Sequence, residues 1–187
     1  MLINPGELFD MAVMTAVVGF IFMDFFKRPV ENYDPLIHYK VGFNWNDFLF
    51  ACLVVAPAII LHELAHKFVA LSYGLSATYQ AAYFFLGLGL IMKLMRFGFI
   101  FFVPAYVSII GRATPLQFSI IAFAGPLMNL ILWVISWFVV KKNLVKRKYI
   151  PALVLTSRIN MFLFIFNMLP IPGFDGFKVF SGLLGAI

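Results

Sequence analysis

His62, Glu63 and His66 form the pattern H-E-x-x-H within His62-Glu63-Leu64-Ala65-His66. Residues four apart stand on one face of a helix, so both imidazoles can share a metal ion while the carboxylate beside the first reaches a water that the metal activates. This is a set for metal-assisted hydrolysis. A catalytic zinc takes three protein ligands and leaves a fourth position open, so a third donor is needed. After His66 the chain has no further His, Cys or Glu, and Asp175 is its only acidic residue there. The other candidates are His38, the acids Glu7, Asp10, Asp24, Glu31 and Asp34 in or near the first apolar run, and Asp47 before the second. Asp175 has the better context. Pro170-Ile171-Pro172-Gly173 breaks the chain before it and Gly176 follows it, which lets the backbone turn a carboxylate inward. The plainer role for Asp175, capping a terminal helical piece, is compatible with ligation.

These groups must be held by elements that the composition makes membrane elements. Of 187 residues, 63% are hydrophobic and only 12% charged, with 24 Phe, whereas a soluble domain has about 25% charged residues. That excludes a soluble monomer and a disordered chain. The net charge of +6 rests on 14 Lys and Arg in apolar surroundings, which suits loop anchors against lipid head groups and gives no nucleic-acid surface. A single cysteine, Cys52, excludes an internal disulfide and a Cys-based zinc knuckle.

The chain reads as an all-α polytopic membrane protein of about four transmembrane helices with a small membrane-associated β or re-entrant element. Residues 1–47 hold a first helix, over 8–26, and a polar loop; residues 48–187 form the catalytic membrane core. In that core, 48–73 would span about 39 Å as a helix, 116–140 is a clean span, and 149–187 is a span to Leu169 followed by the proline break and a short tail. Residues 81–110 are broken by Gly87, Gly89, Gly98 and Pro104 and rich in Phe, Val and Ile. They read as the β-prone or re-entrant element, with a single helical span as the alternative.

H-E-L-A-H in a transmembrane helix, followed by G-P-L-M-N at 125–129 and N-M-L-P-I-P-G-F-D-G at 167–176, resembles the site-2 protease family of intramembrane zinc metalloproteases. The resemblance runs from about Phe48 to Gly176 and leaves the first helix outside the shared core. It implies one zinc ion per chain bound by His62, His66 and Asp175, Glu63 as catalytic acid and base, and Asn167 near the reacting carbonyl. It also implies that Gly125 and Asn129 pack beside the active site. The expected protein is a multi-pass protein of the cell membrane that cleaves transmembrane protein substrates within the lipid bilayer. Relatives often continue beyond the Asp-Gly segment, so a chain stopping at Ile187 reads as truncated or minimal.

A protease inside a membrane meets helices whose amides are already bonded, and an exposed β edge over 97–110 could hold an unwound substrate segment by strand addition. Two other functions use the same residues. A metal transporter would want a second polar face along a path, whereas 116–140 contains no Asp, Glu, His, Lys or Arg. A non-catalytic scaffold of the same fold would be expected to have lost Glu63 or a ligand, and all four residues stand. Orientation is a conflict: the family arrangement puts the basic loop 141–148 outside, and the positive-inside rule puts it in the cytoplasm. A cysteine-accessibility scan of that loop decides between them.

Overall fold

The first helix begins with a reciprocal cap. The Asn4 side chain accepts from the Glu7 backbone N–H, and the Glu7 carboxylate accepts from the Asn4 N–H, both at 2.8 Å, with Pro5 in the first turn. In the computed structural model, which describes residues 2–26, 43–97 and 103–185, this helix is α1, Pro5–Phe22. It is followed by α2 (Trp45–Ser72), β1 (Ser76–Ala81), α3 (Tyr83–Leu94), β2 (Ala105–Ile110), α4 (Pro115–Lys141), α5 (Ile150–Asn167) and α6 (Asp175–Leu184). Three of the sequence candidates, Glu31, Asp34 and His38, lie outside the described residues.

Among the described residues four helices are long and apolar enough to cross a membrane: α1, α2, α4, and α5 together with the 3-10 turn Arg147–Tyr149 before it. With one two-stranded sheet beside them, the protein is an all-α polytopic membrane protein. The helix α4 packs against α2, α5 and α6, and α1 packs against α2 and β1. Large apolar side chains such as Leu53, Ile135, Phe162 and Ile165 stay exposed on the outer faces, as lipid-facing positions do.

The expected small β element is present as a two-stranded sheet, with a helix between its strands and bounds that differ from 81–110. Its first strand begins earlier, at Ser76, because Gly74 adopts a left-handed φ of +76° and turns the chain directly out of α2. Its middle is the 12-residue helix α3. The run Phe84–Met92 carries no polar side chain, so no apolar–polar alternation marks a half-buried strand there. Lys93 anchors the last turn of α3, bonding to the Phe20 carbonyl at the end of α1 and pairing with Asp24 at 2.9 Å. Among the described residues only the flanks are strands, paired antiparallel from Ser76↔Ile110 to Ala81↔Ala105.

Asn4, Glu7 and Asp10 also give α1 a second task. The Glu7 carboxylate accepts from Lys67 Nζ and from the Tyr79 N–H at 2.7 Å, and Asp10 accepts from the Ala81 N–H at 3.1 Å. The first helix therefore closes the edge of β1 that β2 leaves open. It is tied to Lys67, the residue after His66, so α1 is packed into the same structure as the histidine-bearing helix.

Candidate metal centre

Helix α2 carries His62 and His66 one turn apart, facing α4, and Asp175 opens α6, which also packs on α4. The break between α5 and α6 delivers that carboxylate. Gly173 takes a φ of +99°, and a Cβ at position 176 would stand 2.4 Å from the Met168 carbonyl oxygen. The Asp-Gly pair thus lets the first turn of α6 lie directly on the end of α5.

His62 Nε2 and His66 Nε2 lie 3.1 and 3.2 Å from Asp175 Oδ2 and 3.1 Å from each other. All three residues are buried. On the far side of each ring, His62 Nδ1 lies 2.5 Å from Asn129 Oδ1 and His66 Nδ1 lies 2.7 Å from the Ile121 carbonyl. Both partners only accept, so both Nδ1 atoms carry the proton and each neutral ring turns an Nε2 lone pair inward. The carboxamide of Asn129 is itself fixed, because its Nδ2 donates to the Ala58 carbonyl at 3.1 Å and to Asn160 Oδ1 at 2.8 Å.

Two nitrogen lone pairs and a carboxylate oxygen thus converge, and acceptors so close repel unless a cation lies among them. Tetrahedral zinc, with Zn–N near 2.0–2.1 Å, holds its ligand atoms about 3.3 Å apart. The three residues therefore could hold a metal ion. Gly125 leaves the room, since a Cβ there would stand 2.3 Å from His66 Nε2 and 2.6 Å from His62 Nε2. Pro126 has no N–H, which relaxes the α4 ladder near the turn whose Ile121 carbonyl holds His66.

Glu63 is half-buried beside His62, within electrostatic reach of His62, Asp175 and Lys178. Lys178 Nζ lies 3.3 Å from Asp175 Oδ1. Asn167 ends α5, half-buried, its side chain without a hydrogen bond among the described residues. It is seven residues beyond Asn160 and so on the same helix face, two turns nearer the break. The competing third donors are engaged elsewhere: Glu7 and Asp10 on β1, Asp24 on Lys93, and Asp47 on the Asn44 side chain.

Asn160 is the site residue that sequence reasoning missed. Its signal was the same as that of Asn129, a carboxamide inside an apolar helix, where a buried polar group needs a partner.

The chain matches no family profile, and no solved structure matches it. A protein of Methanocaldococcus jannaschii, named provisionally as a zinc metalloprotease, is 34% identical over 177 residues, covering 94% of this chain and 84% of the relative. A Bacillus subtilis protein with the same provisional name is 28% identical over 172 residues, covering 81% of this chain and 74% of its own length. At that identity over nearly its whole length, and with two imidazoles and a carboxylate gathered around one point, the chain belongs to the zinc metalloprotease family of which these two relatives are members.

Proposed function

We propose that the chain is an intramembrane zinc metalloprotease of the site-2 protease type, a multi-pass protein of the cell membrane that hydrolyses peptide bonds within or near transmembrane segments of its substrates. The observation that carries this reading is the convergence of His62 Nε2, His66 Nε2 and Asp175 Oδ2 between helices long and apolar enough to cross a membrane. Zinc at that point supplies Lewis acidity, lowering the pKa of a water toward 7 and polarising a peptide carbonyl. Glu63 takes a proton from the attacking water and passes it to the leaving amine. The Asn167 carboxamide donates to the developing oxyanion. Asn129 and the Ile121 carbonyl keep the ligand rings in the tautomer that faces the metal.

A helical substrate must be unwound before its amides are accessible. Among the described residues the sheet has two strands, and carboxylates of α1 cover the β1 edge. The outer edge of β2 is therefore the place for an extended substrate segment to add as a strand.

The test is metal content and cleavage of a model transmembrane substrate by purified protein, wild type against Glu63→Gln. One zinc per chain in both, with cleavage in wild type only, is expected. Wild-type protein without zinc, or a Glu63→Gln variant that cleaves at the wild-type rate, would refute the assignment.

A further inference from the structure

Arg158 sits in the middle of the 21-residue span Arg147–Asn167, eleven residues from one end and nine from the other. At 1.5 Å per residue that is about 14–17 Å from either end, half of a hydrocarbon core roughly 30 Å thick. A side chain that reaches roughly 6 Å cannot bring its guanidinium to the head groups from there.

The hydrogen bonds fix its depth independently. Asn160, two residues on, bonds to Asn129, which bonds to His62, so Arg158 lies level with the metal centre. It points the other way. Ser157 and Asn160 are the buried residues of α5, with Ser157 Oγ donating to the Trp133 carbonyl at 3.5 Å. Arg158, Phe162 and Ile165 are exposed at i, i+4 and i+7, one face of the helix. Among the described residues Arg158 has neither ion pair nor hydrogen bond, whereas Lys67, five residues from the end of its span, is neutralised by Glu7. A charge in lipid without a partner is costly and marks function.

The missing partner is an anion at mid-membrane depth. A second copy does not supply it, because a two-fold contact on this face would set Arg158 against Arg158. The described carboxylates within the spans are also committed: Glu7 to Lys67 and β1, Asp10 to Tyr83 and Ala81, Asp47 to Asn44, Glu63 to the metal centre.

We propose that the α5 face formed by Arg158, Phe162 and Ile165 is a docking surface for a transmembrane helix of another protein that carries an Asp or Glu near the middle of its span. The planar guanidinium takes a carboxylate through two parallel hydrogen bonds, and Phe162 and Ile165 pack the apolar turns of the incoming helix. Since this face is turned away from His62, the docked helix is an accessory partner and not the cleaved segment. The surface exists whether or not the chain is a protease.

The test uses zinc-loaded protein in neutral phosphatidylcholine vesicles and labelled Leu-rich transmembrane peptides of about 21 residues, with association read by energy transfer. One peptide carries Asp at its centre, one Leu there, and one Asp near its end. The central-Asp peptide should associate on the order of tenfold more tightly than the other two. Arg158→Leu should abolish that preference while retaining zinc. Equal association of the three peptides with wild type overturns the proposal, and so does a central-Asp preference that survives Arg158→Leu. Self-association of wild type that Arg158→Leu dissolves overturns it in favour of a second copy. The comparison of peptides on wild type needs no variant to fold.

Discussion

His62 and His66 are held on both ring edges, which divides the surrounding residues by what they would do to a metal bound there. Gly125 supplies space. In Gly125→Ala the new methyl would stand 2.3 Å from His66 Nε2, and the variant should bind no zinc while α4 still folds, as judged by metal content and helicity. Asn129 supplies orientation. Removing its oxygen frees the His62 ring to rotate and change tautomer, and loss of such a partner typically costs about 10–100-fold in metal affinity. Asn129→Ala should therefore hold zinc with an affinity lowered by about that factor in chelator competition. Asn167 bonds to nothing in the ligand network, so Asn167→Ala should leave zinc affinity and thermal stability near wild type. Its turnover should fall about a hundredfold to a thousandfold, the worth of one oxyanion donor; unchanged turnover would remove it from that role.

At the scale of elements, the buried pair Glu7–Lys67 decides how α1 is attached. Lys67 and Glu7 side chains are only 1% and 2% exposed, and deleting one partner of such a pair strands the other charge, at a cost of about 3–5 kcal/mol. Glu7→Ala also removes the acceptor of the Tyr79 N–H. The variant should show thermal destabilisation of that order in detergent, and Glu7→Leu combined with Lys67→Met should recover most of it, since neither charge is then left alone. Additive losses in the double variant would mean that Glu7 and Lys67 stabilise the fold independently and that their pairing is not what attaches α1. Next to it, the Tyr79 hydroxyl is buried without a partner among the described residues. Burial pushes its pKa up, with the charges of Glu63 and Asp10 adding to the shift, so it remains a neutral phenol packed among Met11, Met14 and Val55.

For the whole molecule, the three donors join segments far apart in the chain: α2 through His62 and His66, α6 through Asp175. The ordered turn from Pro170 to Phe174 is closed by a Phe174 N–H bond to the Ile171 carbonyl at 3.1 Å, so ligation also fixes the end of α6 that this turn presents. A ligand that binds only the folded state stabilises it. Chelation should lower the melting temperature and raise hydrogen exchange mainly over 170–184, with α4 little changed. Uniform exchange along the chain would mean that the metal does not hold α6 in place.

Much of this was legible because it is local. The apolar runs are membrane-length helices, the capping Asn4 and Thr114 open α1 and α4, and H-E-x-x-H needs only the helical period to put two imidazoles on one face. Asp175 could be picked out because so few acids compete with it and the Pro-Gly break precedes it. Residues 81–110 were read as β or re-entrant because glycines and aromatics fit either, and the anchoring of α3 by Lys93 on the carbonyls of α1 is a contact across 73 residues that no local pattern records. The same holds for Glu7 with Lys67, 60 residues apart, and for Asn160 with Asn129, 31 apart. By itself, then, the sequence pointed to the membrane-length helices and to the residues that could hold a metal. Only the tertiary structure decided which proton each ring carries, what α1 is for, and which way Arg158 faces, because burial and hydrogen-bond partners at those distances exist only once the helices are packed.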